Sequence, residues 1–256
     1  MMTVDPQTQA VDFQKRRPIR QFLNWLAYPA FKLLTNLTIE GEENLPESGP
    51  LIIVANHFSF VDPTTLVRVS PWLIDFVGGD QFPHAPGILK IIPILWGYLP
   101  LKRGTGSTFA LKQAEKIIDE GGIIAIFPEG GNWAEVLRPA RPGAAFLANR
   151  TKAKILPIGI EGATKIFPSL ARFRRAKLTI RIGESFGPFE VTKTGKGRRE
   201  ELDEIGHEIM RRIAVLLPPE SRGHYSDDPA VREAAAGTEL WPWADKVEGE
   251  VTGQIR

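Results

Sequence analysis

Short, continuously apolar runs alternate along this chain with longer stretches whose apolar residues recur every three or four positions. The runs NLTIEG (36–41), LIIVA (51–55), LIDFVGG (73–79), GIIAIFPEG (122–130), KILPIGIEG (154–162) and KLTIRIG (177–183) read as strands, several of them too continuously apolar to have a wet face. Helical spacing covers about Arg17–Leu34, Gly104–Glu120, Pro142–Asn149 and Arg199–Leu217, the last stopped by a Pro-Pro pair. Strands alternating with helices predict an α/β fold: a single domain whose central, largely parallel mixed sheet is flanked by helices and preceded by an N-terminal amphipathic helix. In such sheets ligands bind beyond the carboxyl ends of the strands. The segments NHFSFVD and FPEGGNW stand at two such ends.

The first predicted helix differs from the others. A basic start, RRPIR, leads into Phe22, Leu23, Trp25, Leu26, Tyr28, Phe31, Leu33 and Leu34, a broad apolar face with aromatic residues. Such a helix can lie in a headgroup layer with its basic end drawn to anionic lipid, or simply pack on the domain. A second greasy stretch, APGILKIIPILWGYLPL, is interrupted by Pro86, Pro93 and Pro100; it could line an acyl pocket or touch lipid. No run reaches the about eighteen uncharged apolar residues of a spanning helix. The expected organisation is a flexible N-terminus (1–14), an amphipathic membrane-associating helix (15–35), a catalytic domain (36–225) and a polar, weakly structured tail (226–256), its two tryptophans strapping it to the body.

Composition narrows the chemistry. Hydrophobic residues make up 43% of the 256, ample for a core, and a formal net charge of +2 does not call for a nucleic-acid partner. Cysteine is absent, which removes disulfides, thiolate nucleophiles and thiolate metal ligands. The polar N-terminus lacks the apolar region of a secretory signal, so a cytoplasmic address is expected.

His57 and Asp62 are five residues apart and can meet only if the chain turns between them, as at a strand-to-helix junction. The carboxylate would then accept the Nδ1 proton and leave Nε2 as an outward base. A nucleophilic serine is missing: there is no GxSxG, and Ser59 is too local to serve. The base would therefore act on a substrate hydroxyl. The same spacing also fits a capping box, Ser59 as N-cap and Asp62 three positions on. His84, His207 and His224 lack a matching carboxylate pattern, and no second histidine stands at metal-ligand spacing.

Several blocks in order resemble the 1-acylglycerol-3-phosphate acyltransferase family, the glycerolipid acyltransferases marked by NHxxxxD. EGEENLPESGPLIIVANHFSFVDP is similar to the first block, GYLPLKRG to the second, IIAIFPEGG to the third and AKILPIGIEGA to the fourth; ARPGAAFLANRT and LLPPESRGHY add to the likeness, which runs from about Leu33 to Tyr225. The resemblance implies a glycerol-3-phosphate acyltransferase-like fold. It also implies an O-acyltransferase in phospholipid biosynthesis that needs no cofactor or metal and is attached peripherally to the inner face of the cell membrane. His57 would be the base and Asp62 its orienting partner. Asn56, Arg103, Glu129, Gly130 and Gly131 would form the substrate-binding set, with Arg103 on the acceptor phosphate and the amides around Gly130 and Gly131 facing the oxyanion. Acyl-CoA or acyl carrier protein would be the donor, and a lysophosphatidic acid-like lipid the acceptor. The chain departs from the pattern where the family reads Thr-Arg after the third block: here stand Gly131 and Asn132. One phosphate-binding guanidinium is thus replaced. Either Arg138 or Arg141 compensates, or the acceptor is another lysolipid; a non-catalytic lipid-binding protein is the remaining alternative.

Overall fold

Strands buried on both faces need cover on both sides, and the computed structural model, which describes residues 15–79, 91–101 and 108–240, supplies it. Helix α1 (Arg17–Leu34) runs into β1 (Thr35–Glu40), followed by β2 (Leu51–Ala55), α2 (Asp62–Val69), β3 (Asp75–Gly79), α3 (Ile91–Trp96) and β4 (Leu99–Leu101). Then come α4 (Thr108–Asp119), β5 (Ile123–Ile126), α5 (Gly143–Thr151), β6 (Lys154–Glu161), α6 (Ile166–Leu170), β7 (Ala176–Ile182), α7 (Gly195–Ala214) and α8 (Pro229–Ala235). The seven strands form one sheet in the order β1-β7-β6-β2-β5-β3-β4. Only the β6–β7 pair is antiparallel; the others are parallel.

The period of two along β2 divides the core. Ile52 and Val54 point to the layer made with α4, α5 and α7, whereas Leu51, Ile53 and Ala55 point to the layer of α1, α2, α3 and α6. Every residue of β2 and β5 is buried, as expected of a central strand.

Helix α1 has two apolar faces. Phe31 is buried with Leu23 and Ala27 packed nearby, and buried Arg20 pairs with Asp75 at 2.8 Å, so this arginine turns inward rather than toward lipid. Phe22, Trp25, Leu26 and Leu33 recur at helical spacing on the opposite side and remain exposed, Trp25 at 68% and Leu33 at 73%. Exposed Ile91 and Ile94 of α3, which packs on α1, extend this surface. Helix α1 thus packs on the domain and also keeps an apolar outer stripe.

One expectation changes. The tail is not weakly structured throughout: α8 forms at 229–235, with Asp228 accepting the Ala230 N–H at its N-terminus, and Trp133 Nε1–H donates to Thr238 O. The tail tryptophans, Trp241 and Trp243, lie outside the described residues, as do residues 1–14 and His84.

Candidate active site

Strands β2 and β5 are parallel neighbours in a register that pairs Val54 with Ile126. Three residues beyond each, past the carboxyl ends, the chain reaches His57 and Glu129. Sheet pairing thereby brings together two blocks that are far apart in sequence. The His57 N–H donates to Glu129 Oε1 at 2.7 Å.

The turn between β2 and α2 is organised by one oxygen. Asp62 Oδ2 lies 3.0 Å from His57 Nδ1 and accepts the N–H groups of Phe58 at 2.8 Å and Ser59 at 2.7 Å. Helix α2 starts at Asp62 with Val61 at its N-cap, so Ser59 is not the cap that the capping-box reading expected; its N–H bond to Asp62 instead ties the turn that precedes the helix. Asp62 is fully buried, and burial pushes its carboxyl above the usual range against the pull of His57 and the two amides. The imidazole stacks on Phe127 with ring centroids 4.2 Å apart and keeps 16% of its side chain exposed. With Nδ1 held by Asp62, Nε2 is the nitrogen available to a substrate.

Glu129 lies behind this turn rather than beside it. Its side chain is buried; Oε2 accepts the Arg138 backbone N–H at 3.3 Å and the Arg138 Nε–H at 3.0 Å. Burial pushes the Glu129 carboxyl up to about 7, with the Arg138 guanidinium and the surrounding N–H donors pulling it down. Arg138 is 1% exposed, donates to Gly131 O and lies 3.8 Å from the centre of the Trp133 ring. It therefore closes the loop from Glu129 to Arg138 from within. It does not replace the missing guanidinium at Asn132 as an outward phosphate ligand.

Others among the expected binding residues have structural partners. Buried Asn56 bridges the backbone of β6, its amide donating to Ile160 O at 2.9 Å and accepting Ile160 N–H at 2.7 Å. The Gly130 N–H donates to Phe127 O at 3.1 Å, which removes this amide from the expected oxyanion donors. A φ of 76° with Arg141 Cγ 3.2 Å from the place of a Cβ explains the glycine. Gly131 offers its carbonyl to Arg138. Arg141 is exposed, with Nη2 donating to Glu239 O at 3.2 Å. Arg103 lies outside the described residues. Sequence reasoning left Arg138 without a role beside Glu129, and no spacing in the loop between them signals one. Among the described residues no group of three or more His, Asp or Glu could hold a metal ion.

Comparison with known proteins gives this arrangement a family. Residues 36–161 match the family model described as Acyltransferase, a span that includes His57, Asp62 and Glu129. A chloroplastic 1-acyl-sn-glycerol-3-phosphate acyltransferase of Brassica napus is 32% identical over 151 residues, 56% of this chain and 41% of that protein. An enzyme of the same name from Bacillus subtilis is 28% identical over 149 residues, covering 57% of this chain and 71% of that one. The chain spans about two fifths of the length of its plant relatives. Among solved structures, the 1-acyl-sn-glycerophosphate acyltransferase PlsC of Thermotoga maritima shares the fold, with a TM-score of 0.53 and 23% identity over 79% of this chain and 83% of that one. With the fold, the strand-end histidine and the ordered blocks in agreement, residues 36–161 of this chain belong to the acyltransferase family.

Proposed function

We propose that this protein transfers a fatty acyl group from a thioester, acyl-CoA or acyl carrier protein, to the free hydroxyl of a lysophosphatidic acid-like lipid at a membrane surface. The observation that carries the reading is the 3.0 Å contact between His57 Nδ1 and buried Asp62, which leaves Nε2 as the base beyond a strand end. Nε2 takes the hydroxyl proton as the lipid oxygen attacks the thioester carbonyl. The tetrahedral intermediate then expels the thiolate, and the C–S bond breaks. The imidazolium, stabilised by Asp62, returns its proton to the departing sulfur. No acyl-enzyme is needed, in keeping with a chain that has no cysteine.

The apolar outer stripe of α1 supports a membrane-surface location on the cytoplasmic side, because both an acyl chain and a lysolipid partition there. No helix among the described residues is long and apolar enough to cross a membrane. A second reading changes only the acceptor. Arg138 is buried against Glu129 and Asn132 stands in place of an arginine, which favours a lysolipid whose phosphate makes less contact with this loop.

The test is thiol release by the purified protein given acyl-CoA or acyl carrier protein with lysophosphatidic acid, competing lysolipids being resolved by product mass. His57→Ala is expected to abolish release. Release that persists undiminished in that variant refutes the base assignment.

A further inference from the structure

Phe173 is 100% exposed and adopts φ 54°, the left-handed conformation that bulky residues avoid. It stands just past α6, where the Arg174 N–H bonds Ser169 O and the Phe173 N–H bonds Leu170 O, both at 2.9 Å. This is the Schellman pattern, and the left-handed position in it favours glycine. A phenylalanine there is strained and buries nothing, so neither backbone preference nor packing accounts for it. Exposed arginines at 172 and 174 flank it, with exposed Lys165 and Lys177 nearby in sequence.

Topology places this turn at the catalytic end of the sheet. β7 is antiparallel to β6 and parallel to β1, so β7 and β1 begin at the edge where β2 and β5 end. Helix α1 finishes at that edge too: Arg175 Nε–H donates to Thr35 O at 3.0 Å and its Nη2 to Lys32 O, tying the turn to the end of α1. Between the turn and His57, Phe60 stacks on the partly exposed Phe167 of α6 with centroids 5.3 Å apart.

We infer that the Arg172–Arg175 turn is a second membrane anchor, which inserts Phe173 into an anionic bilayer while Arg172 and Arg174 engage its phosphates, and so presents the His57 end of the sheet to the headgroup layer. The inference rests on the membrane-surface reading proposed above. Charge selects the occupant: basic side chains around an apolar tip complement anionic lipid, and the outer stripe of α1 reaches the same edge. Insertion turns the exposed ring from a cost into a contribution to binding.

The absence of cysteine makes the test direct. Phe173→Cys carrying an environment-sensitive dye is mixed with phosphatidylcholine vesicles containing or lacking phosphatidylglycerol. A blue shift is expected with the anionic vesicles, and none from a dye at Glu200→Cys, on α7 across the sheet. Phe173→Gly suits the left-handed backbone, so thermal stability should hold or rise while vesicle affinity falls about tenfold or more. Arg172→Ser with Arg174→Ser should lose most of the preference for anionic lipid. Turnover in detergent micelles should stay unchanged in all three, so that failure here leaves the acyl-transfer reading intact. A dye that remains in water on vesicles that hold the protein overturns the inference, as does unchanged affinity in Phe173→Gly. So does a dye that responds to acidic carrier protein but not to vesicles.

Discussion

Replacing Arg138 by methionine keeps much of the side-chain stem and removes the charge. The guanidinium is 1% exposed and bonded to a carboxylate that is itself buried, so the variant leaves Glu129 without a counter-ion inside the protein. Breaking a buried ion pair from one side costs about 3–5 kcal/mol, which is a large part of the roughly 5–15 kcal/mol that holds a domain together. At about 2–4 °C per kcal/mol for a chain of this size, the melting temperature should fall by roughly 6–20 °C. The loss depends on pH with a definite sign. Glu129 already has a folded-state value of about 7, raised from an ordinary 4.5, so the native protein binds more protons than the unfolded chain between these values and stability falls as pH rises through them. Without Arg138 the carboxyl rises further. The decline then continues above pH 7, by up to about 1.4 kcal/mol per pH unit, where the wild type has levelled off for this group. Melting curves for both proteins at pH 6, 7 and 8.5 measure the difference, which should widen with pH. Adding Glu129→Gln to Arg138→Met removes the stranded charge and should restore much of the loss. A melting temperature unchanged at all three values, a deficit that narrows as pH rises, or a double variant less stable than Arg138→Met refutes the reasoning.

Two other substitutions separate chemistry from architecture. In Asp62→Asn the carboxamide oxygen can still accept the Phe58 and Ser59 N–H groups, but the imidazolium loses its charge partner; kcat should fall by about a hundredfold or more with KM and melting temperature little changed. Steady-state rates above a tenth of wild type would count against that role. In Asn56→Ala both backbone groups of Ile160 lose their buried partner, so unfolding should become easier by about 2–4 kcal/mol. Denaturant titration checks this, and a raised acceptor KM at full stability would instead assign Asn56 to the substrate.

The parts of the fold that sequence reveals are those with strong periodicity. Helix α1 spans Arg17–Leu34 as its spacing predicts, because its apolar residues keep helical order from Phe22 to Leu34. Strands β2, β5 and β6 stand out as unbroken apolar runs for the same kind of reason. Strand β4 is three residues long and contains Pro100, and α2 starts Asp-Pro-Thr-Thr, so neither carries a pattern long enough to register. At the site, His57 and Asp62 were legible because a short turn joins them. The Glu129–Arg138 pair was not: it depends on how a loop folds back and which side chain enters its interior, and no periodicity encodes that. Asn56 stands beside His57 in sequence yet serves β6, a partner 104 positions away that only the sheet order discloses.

Because Val54 pairs with Ile126, the histidine and the glutamate meet by counting along two adjacent ladders, three steps past each. Deleting or adding one residue inside either ladder would move its block to the wrong side of the pleat and part the two groups, whatever else survived. The connections that leave the sheet and return carry no such arithmetic and can drift in length. Relatives of this chain are therefore free to grow or shed material between their blocks, while indels within β2 or β5 should be met only in proteins that have given up the histidine's work.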